Sequence, residues 1–107
     1  MSREVYVTKE AEQDIFDIYN FIASNDSINK ANTIFDKLEE GCLSLSKFPD
    51  RGHVPPELKR INVLSYKEIH FKPFRIIYQI MDKGIFIHCV FDGRREIQEI
   101  LENRLIR

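Results

Sequence analysis

The side chains best suited to chemistry gather in one stretch, Tyr66–Arg95. Arg75 stands inside its most apolar segment, Phe74–Met81, and Arg94 and Arg95 follow the next apolar segment, Ile85–Phe91. An arginine in an apolar strand needs a partner, because an unpaired buried charge is costly. Spacing alone leaves two uses open for Arg75. Its stem can pack on a sheet while its head pairs with a carboxylate such as Glu68. Alternatively, its planar guanidinium can anchor a phosphate or carboxylate. Arg94 and Arg95 read as a solvated pair, an anion site or a cap on acidic residues. His70, on the neighbouring segment, could move a proton near neutral pH if it shares the side of Arg75. Lys67 and Lys72 add positive charge to the same stretch.

Other chemistry is poorly supported. His88 and Cys89 are adjacent, so on a strand they face opposite ways and cannot chelate together. The three histidines and two cysteines form no HxxxH, HExxH or CxxC spacing, so no metal site is expected. No glycine-rich phosphate loop is present. Ser46 and Ser65 lack the surroundings of a nucleophile, and nothing supports pairing Cys89 with His70. No cofactor is expected.

The elements that must position these residues follow from periodicity. Within Tyr66–Arg95, alternation gives three strands, Tyr66–Phe71, Phe74–Met81 and Ile85–Phe91, separated by Lys72-Pro73 and by Asp82-Lys83-Gly84. Phe74, Ile76, Tyr78 and Ile80 form one face of the second strand and read as the core. Arg75, Ile77, Gln79 and Met81 form the other and read as a partly open face. Ile85–Phe91 is apolar on both faces, which predicts a central strand. Gly84 is placed for a positive φ.

Upstream, Val5–Val7 reads as a short strand, and Thr8 as a cap with Glu10 and Glu12 in the first turn behind it. Ala11, Ile15, Ile18, Tyr19 and Ile22 then keep a helical period over about Lys9–Ala23. Asp26 or Ser27 caps a second helix. It carries Ala31, Ile34, Phe35, Leu38, Cys42 and Leu45 on one face and runs to about Lys47. Gly41 inside it costs roughly 1 kcal/mol against alanine. Phe48–Gly52 ends it. Glu57–Leu64 is left as either a strand start or a connector. Ile97, Ile100, Leu101, Arg104 and Leu105 mark a short C-terminal helix. The fold class is α+β, a helical hairpin packed on a small antiparallel sheet in the order β-α-α-β-β-β, with a final helix. The whole chain reads as one domain.

Composition narrows the classes. With 31% charged residues and a net charge of −1, the chain has no global signature of nucleic-acid binding. The halves differ: residues 1–58 hold six Lys/Arg and eleven Asp/Glu, whereas residues 59–107 hold ten and six. An anionic partner is therefore expected on the C-terminal half. Two cysteines are too few for a disulfide framework and read as buried thiols. No signal-peptide run or membrane span is evident, which predicts a soluble cytoplasmic protein without membrane attachment.

Three motifs in order carry a resemblance. V-Y-V-T-K-E-A-E-Q-D-I opens the hairpin, L-S-K-F-P-D-R-G closes it, and F-R-I-I-Y-Q-I is followed by a strand and G-R-R. Together they resemble the RelE/ParE superfamily of type II toxin–antitoxin toxins over almost the whole chain. The resemblance implies a helical hairpin on an antiparallel sheet. It also implies a cognate antitoxin, whose extended C-terminal segment covers sheet and helix surfaces in a toxin–antitoxin hetero-oligomer. RelE-like members are metal-independent, ribosome-dependent mRNA endonucleases. ParE-like members poison DNA gyrase. Arg75 matches the family's strand arginine, and Arg95, with Arg94, the basic position after the last strand. Glu68 and His70 fall where the ribonucleases have basic residues, and Leu101 falls near their late tyrosine. RNA cleavage needs charge neutralisation and a proton for the leaving group, so the ParE-like side is favoured. The implied function is a growth-inhibiting toxin of a plasmid-stabilising module that targets gyrase, through Arg75, Arg94, Arg95, Lys67 and Lys72. The alternatives are an mRNA endonuclease using Arg75, Arg95 and His70 as catalytic residues, and an inactive antitoxin-binding module. On either active reading Arg75→Ala is expected to abolish toxicity in a folded protein.

Overall fold

A computed structural model describes residues 3–106. Strand β1 (Val5–Val7) leads into helices α1 (Lys9–Asn25) and α2 (Ile28–Ser44). A 3-10 turn (Pro49–Arg51) and the single-turn helix α3 (Pro56–Lys59) follow. The chain then forms β2 (Lys67–Phe71), β3 (Phe74–Met81) and β4 (Gly84–Asp92), and closes with α4 (Gln98–Leu105). This is the expected α+β order, with α3 in the segment that sequence left unassigned. Among the described residues no helix is long and apolar enough to cross a membrane.

The caps form as their chemistry dictates. Thr8 Oγ1 accepts from the Ala11 N–H, and Ser27 Oγ accepts from the Lys30 N–H. Asp26 instead pairs with the Lys30 ammonium at 2.8 Å. Helix α2 stops at Ser44, short of Lys47. There the Leu45 and Ser46 N–H groups turn to the carbonyls of Cys42 and Leu43, three residues back, and tighten the last turn. Gly41 is explained by contact rather than by propensity: a Cβ there would lie 3.3 Å from Ile76 Cδ1, so its absence lets α2 lie close on the sheet.

The sheet order is β1-β4-β3-β2, with β1 parallel to β4 and the other pairs antiparallel. Strand β4 is central, as its two apolar faces imply. Its register to β3 shifts so that Ile77 faces Cys89 while Tyr78 faces Ile87, which leaves His88 as the extra residue of a bulge. The bulge reverses the alternation. Ile85, Ile87 and Val90 join the core under α1 and α2, while Cys89 and Phe91 point to the opposite side.

That opposite side corrects the sequence reading. The face is covered at Arg75 and Ile77 and stays open only at its far end, where Gln79 is half-buried and Met81 exposed. Leu58 of α3 and Ile97, Leu101 and Leu105 from the C-terminal segment supply the cover, forming a second core with Ile77, Cys89 and Phe91. Helix α3 is too short to show a period, and the apolar spacing that marked the C-terminal helix did not say which face of the sheet it covers.

At Ile76 and Ile77 both β3 faces are thus interior. Ile76→Asp and Ile77→Asp are each expected to destabilise the fold by more than about 4 kcal/mol. Urea denaturation measures this, and wild-type stability of Ile77→Asp would show that the second core contributes nothing.

Candidate functional site

Arg75 lies at the centre of the second face and its side chain is only 11% exposed. Glu57 on α3 binds it in a fork: Oε1 accepts from Nη2 at 2.6 Å and Oε2 from Nη1 at 2.7 Å. Glu68 on β2, 1% exposed, accepts from Nε at 2.6 Å. Antiparallel pairing sets Glu68 opposite Ile77 and His70 opposite Arg75, which puts all four on one face. Of the two uses that sequence left open, the geometry has the carboxylate pairing, with Glu57 as an additional partner. To anchor an anion, Arg75 would have to release Glu57. The hydrogen bonds from Arg75 hold the Glu57 carboxyl below its ordinary pKa, and those two carboxylates hold Arg75 firmly protonated.

Two imidazoles flank the cluster. His70 Nε2 lies 3.4 Å from Glu68 Oε1. His53 Nε2 lies 3.0 Å from Glu68 Oε2. His53 arrives by a backbone bridge: its N–H donates to the Glu68 carbonyl, and the Glu68 N–H donates to its carbonyl. Neither His53 nor Glu57 was singled out from sequence, because each reaches the site from a loop or a single-turn helix.

The remaining basic candidates lie elsewhere on the surface. Arg94 closes on Asp92 through Nε at 3.0 Å and Nη2 at 2.6 Å, which holds the Asp92 carboxyl below its usual range. Arg95 is exposed beside it, and among the described residues its side chain makes no ion pair. Both line a groove with Pro73, Phe74 and Asp92. Lys67 is half-buried on β2, and Lys72 is exposed in the β2–β3 turn. The positions named from sequence therefore form two groups, His70 with Arg75 and Arg94 with Arg95, rather than one.

A second ion pair was missed. Strand β1 ends at Val7, opposite Ile87. Beyond that point side chains take over the β4 edge. Asp14 on α1 accepts from the Val90 N–H at 3.0 Å, and Arg104 on α4 donates to the His88 carbonyl at 2.6 Å. Arg104 Nη1 also holds both Asp14 oxygens, at 2.9 and 3.0 Å, and its guanidinium lies 5.3 Å from the centre of the Phe91 ring. Burial outweighs these partners and raises the Asp14 pKa. An aspartate off the apolar stripe of α1 and an arginine within that of α4 were the available signals.

Comparison with known proteins fits this architecture. Residues 5–97 match the family of ParE toxins of type II toxin–antitoxin systems, parDE. The fold resembles that in a chromosomal ParDE toxin–antitoxin system from P. aeruginosa, at TM-score 0.71 and 18% identity over 85% of this chain and 96% of the other. It also resembles one in the RelBE2 toxin–antitoxin complex from Mycobacterium tuberculosis, at TM-score 0.64 and 19% identity over 86% and 99%. No curated protein sequence matches the chain.

The ion-pair geometry revises what Arg75→Ala should do. Removing the guanidinium strands the buried Glu68 charge and is expected to cost about 3–5 kcal/mol of stability, measured by urea denaturation. Replacing Arg75 and Glu68 together with apolar residues of similar volume should recover much of that loss. The depressed Glu57 pKa adds stability that is present above the carboxylate's ordinary value of 4.5 and is lost as pH falls through the folded-state pKa. Glu57→Gln should therefore lose less stability than the parent on acidification below that value. Parallel acid profiles would discount the pair.

Proposed function

The chain belongs to the ParE toxin family of type II toxin–antitoxin systems, and from that premise we propose that it inhibits DNA gyrase rather than cleaving mRNA. The observation that carries this reading is the neutralised sheet face. Metal-independent cleavage of RNA requires donors aimed at the charge that develops on the phosphate. Here the strand arginine is held by two carboxylates, one of them the buried Glu68. Leu101, near the position of the ribonucleases' tyrosine, is fully buried in the second core and offers no hydroxyl.

In this reading the toxin's contacts with its target involve the exposed Arg95 with Arg94, Lys67 and Lys72. Arg75 acts by holding the surface in shape. A catalytic trio of Arg75, Arg95 and His70 belongs to the endonuclease alternative. The module would serve plasmid stabilisation, with the protein acting in the cytoplasm.

The helical hairpin carries the surface best suited to an antitoxin. Phe16, Phe35 and Leu43 are exposed on the helical hairpin and line a groove with Val7 of the edge strand β1. A contiguous apolar surface of this kind marks an interaction site. We assign it to an antitoxin segment that lays apolar side chains across the hairpin. The solved neighbours are themselves toxin–antitoxin systems.

Two experiments test these readings. Induction in cells is expected to trigger the DNA-damage response with mRNA intact, and the purified protein to inhibit supercoiling by gyrase. Codon-phased mRNA cleavage would overturn the assignment in favour of the endonuclease. Separately, Leu43→Asp should keep the wild-type melting temperature and toxicity but escape the antitoxin, by at least about tenfold in affinity. Unchanged neutralisation would move the docking surface elsewhere.

A further inference from the structure

We propose that His53, Glu68 and His70 form a binding site for one divalent transition-metal ion of the zinc type, a site independent of the choice between gyrase and mRNA. One ligand atom from each of the three lies within 4.8 Å of the others. Tetrahedral zinc with nitrogen and oxygen ligands holds neighbouring ligand atoms about 3.3 Å apart. The 3.0 Å from His53 Nε2 to Glu68 Oε2 fits that spacing, and His70 Nε2 reaches the same carboxylate from its other side, 3.4 Å from Oε1.

Two further observations point to a cation. Glu68 is 1% exposed, yet its Oε2 accepts no well-directed hydrogen bond, although His53 Nε2 lies 3.0 Å away. A buried carboxylate oxygen without a donor is costly. In addition, the single Arg75 guanidinium serves two carboxylates, Glu57 and Glu68, so it offsets only one of their two negative charges. A divalent ion on Oε2 answers both. Arg75, bound to the other oxygen, fixes the orientation of the carboxylate.

The backbone holds the ligands in place. Gly52 allows the loop to lie against β2, since a Cβ there would fall 2.5 Å from the Glu68 carbonyl oxygen. The paired hydrogen bonds between His53 and Glu68, 3.1 and 2.7 Å, fix the two residues side by side. Glu68 and His70 are two apart on one strand and share a face. The imidazoles are 60% and 48% exposed, so they can turn to ligate an ion arriving from solvent. Two imidazoles with one carboxylate suit zinc, nickel or copper, whereas calcium and magnesium favour all-oxygen shells. A fourth position stays open to water. Occupancy would join the loop before α3 to the edge strand β2.

The test is titration of the tag-free protein with zinc by calorimetry and with cobalt by visible absorption. One ion per chain is expected, with the absorption of a four-coordinate cobalt centre. His53→Ala and His70→Ala should each weaken binding by more than about 100-fold, beyond what losing a residue that only orients a ligand costs. Both residues are exposed, so the variants should fold. Excess zinc should raise the melting temperature of the parent but not of either variant. His88→Ala should bind like the parent. Absence of stoichiometric binding, or undiminished binding by either His53→Ala or His70→Ala, would overturn the site.

Discussion

The constraint on which the second face depends is the burial of one guanidinium. A buried arginine must be met by carboxylates with good geometry, or the strand carrying it is lost. Meeting it fixes much else. Glu57 can reach Arg75 only because α3 folds back over β3. Glu68 reaches it only in the observed β2–β3 register, since a slip by one residue would turn Glu68 away. The same α3 supplies Leu58 to the second core. The polar cluster therefore sets register and helix placement at one point, while apolar burial in both cores supplies most of the stabilisation.

The long elements were legible in the sequence because they repeat. Seventeen-residue helices carry several turns of apolar period, and β3 alternates cleanly on its helix-facing side. The second face was not legible, for three separate reasons. Helix α3 is four residues long, too short for a period. The bulge at His88 reverses the alternation of β4, so an apolar run on both faces could be recognised but not divided between two cores. And a charge such as Arg75 reads alike whether its partner is a carboxylate of the same chain or an external anion. Its partners lie 7 and 18 residues away, one across a strand pair and one in a loop-borne helix. Local spacing carries no information about such meetings.

The charge asymmetry between the halves also has an internal use. Glu57 from the acidic half binds Arg75 from the basic half, and Asp14 likewise binds Arg104. Part of the positive charge that sequence assigned to an outside partner is thus neutralised within the fold. What is left without an ion pair among the described residues is spread over Lys59, Arg60, Lys67, Lys72, Lys83 and Arg95. Net charge by segment overstated the field that a partner meets, because the segments are each other's counter-ions.

The Asp14–Arg104 contact also decides what the sheet offers beyond the end of β1. The two residues are 90 apart in sequence. Together they occupy the Val90 N–H and the His88 carbonyl, on the stretch of β4 past the point where β1 stops pairing at Val7. An unpaired strand edge is a template for an added strand. Here side chains from two helices take that role, so the hold of α4 on the sheet is also what closes its edge.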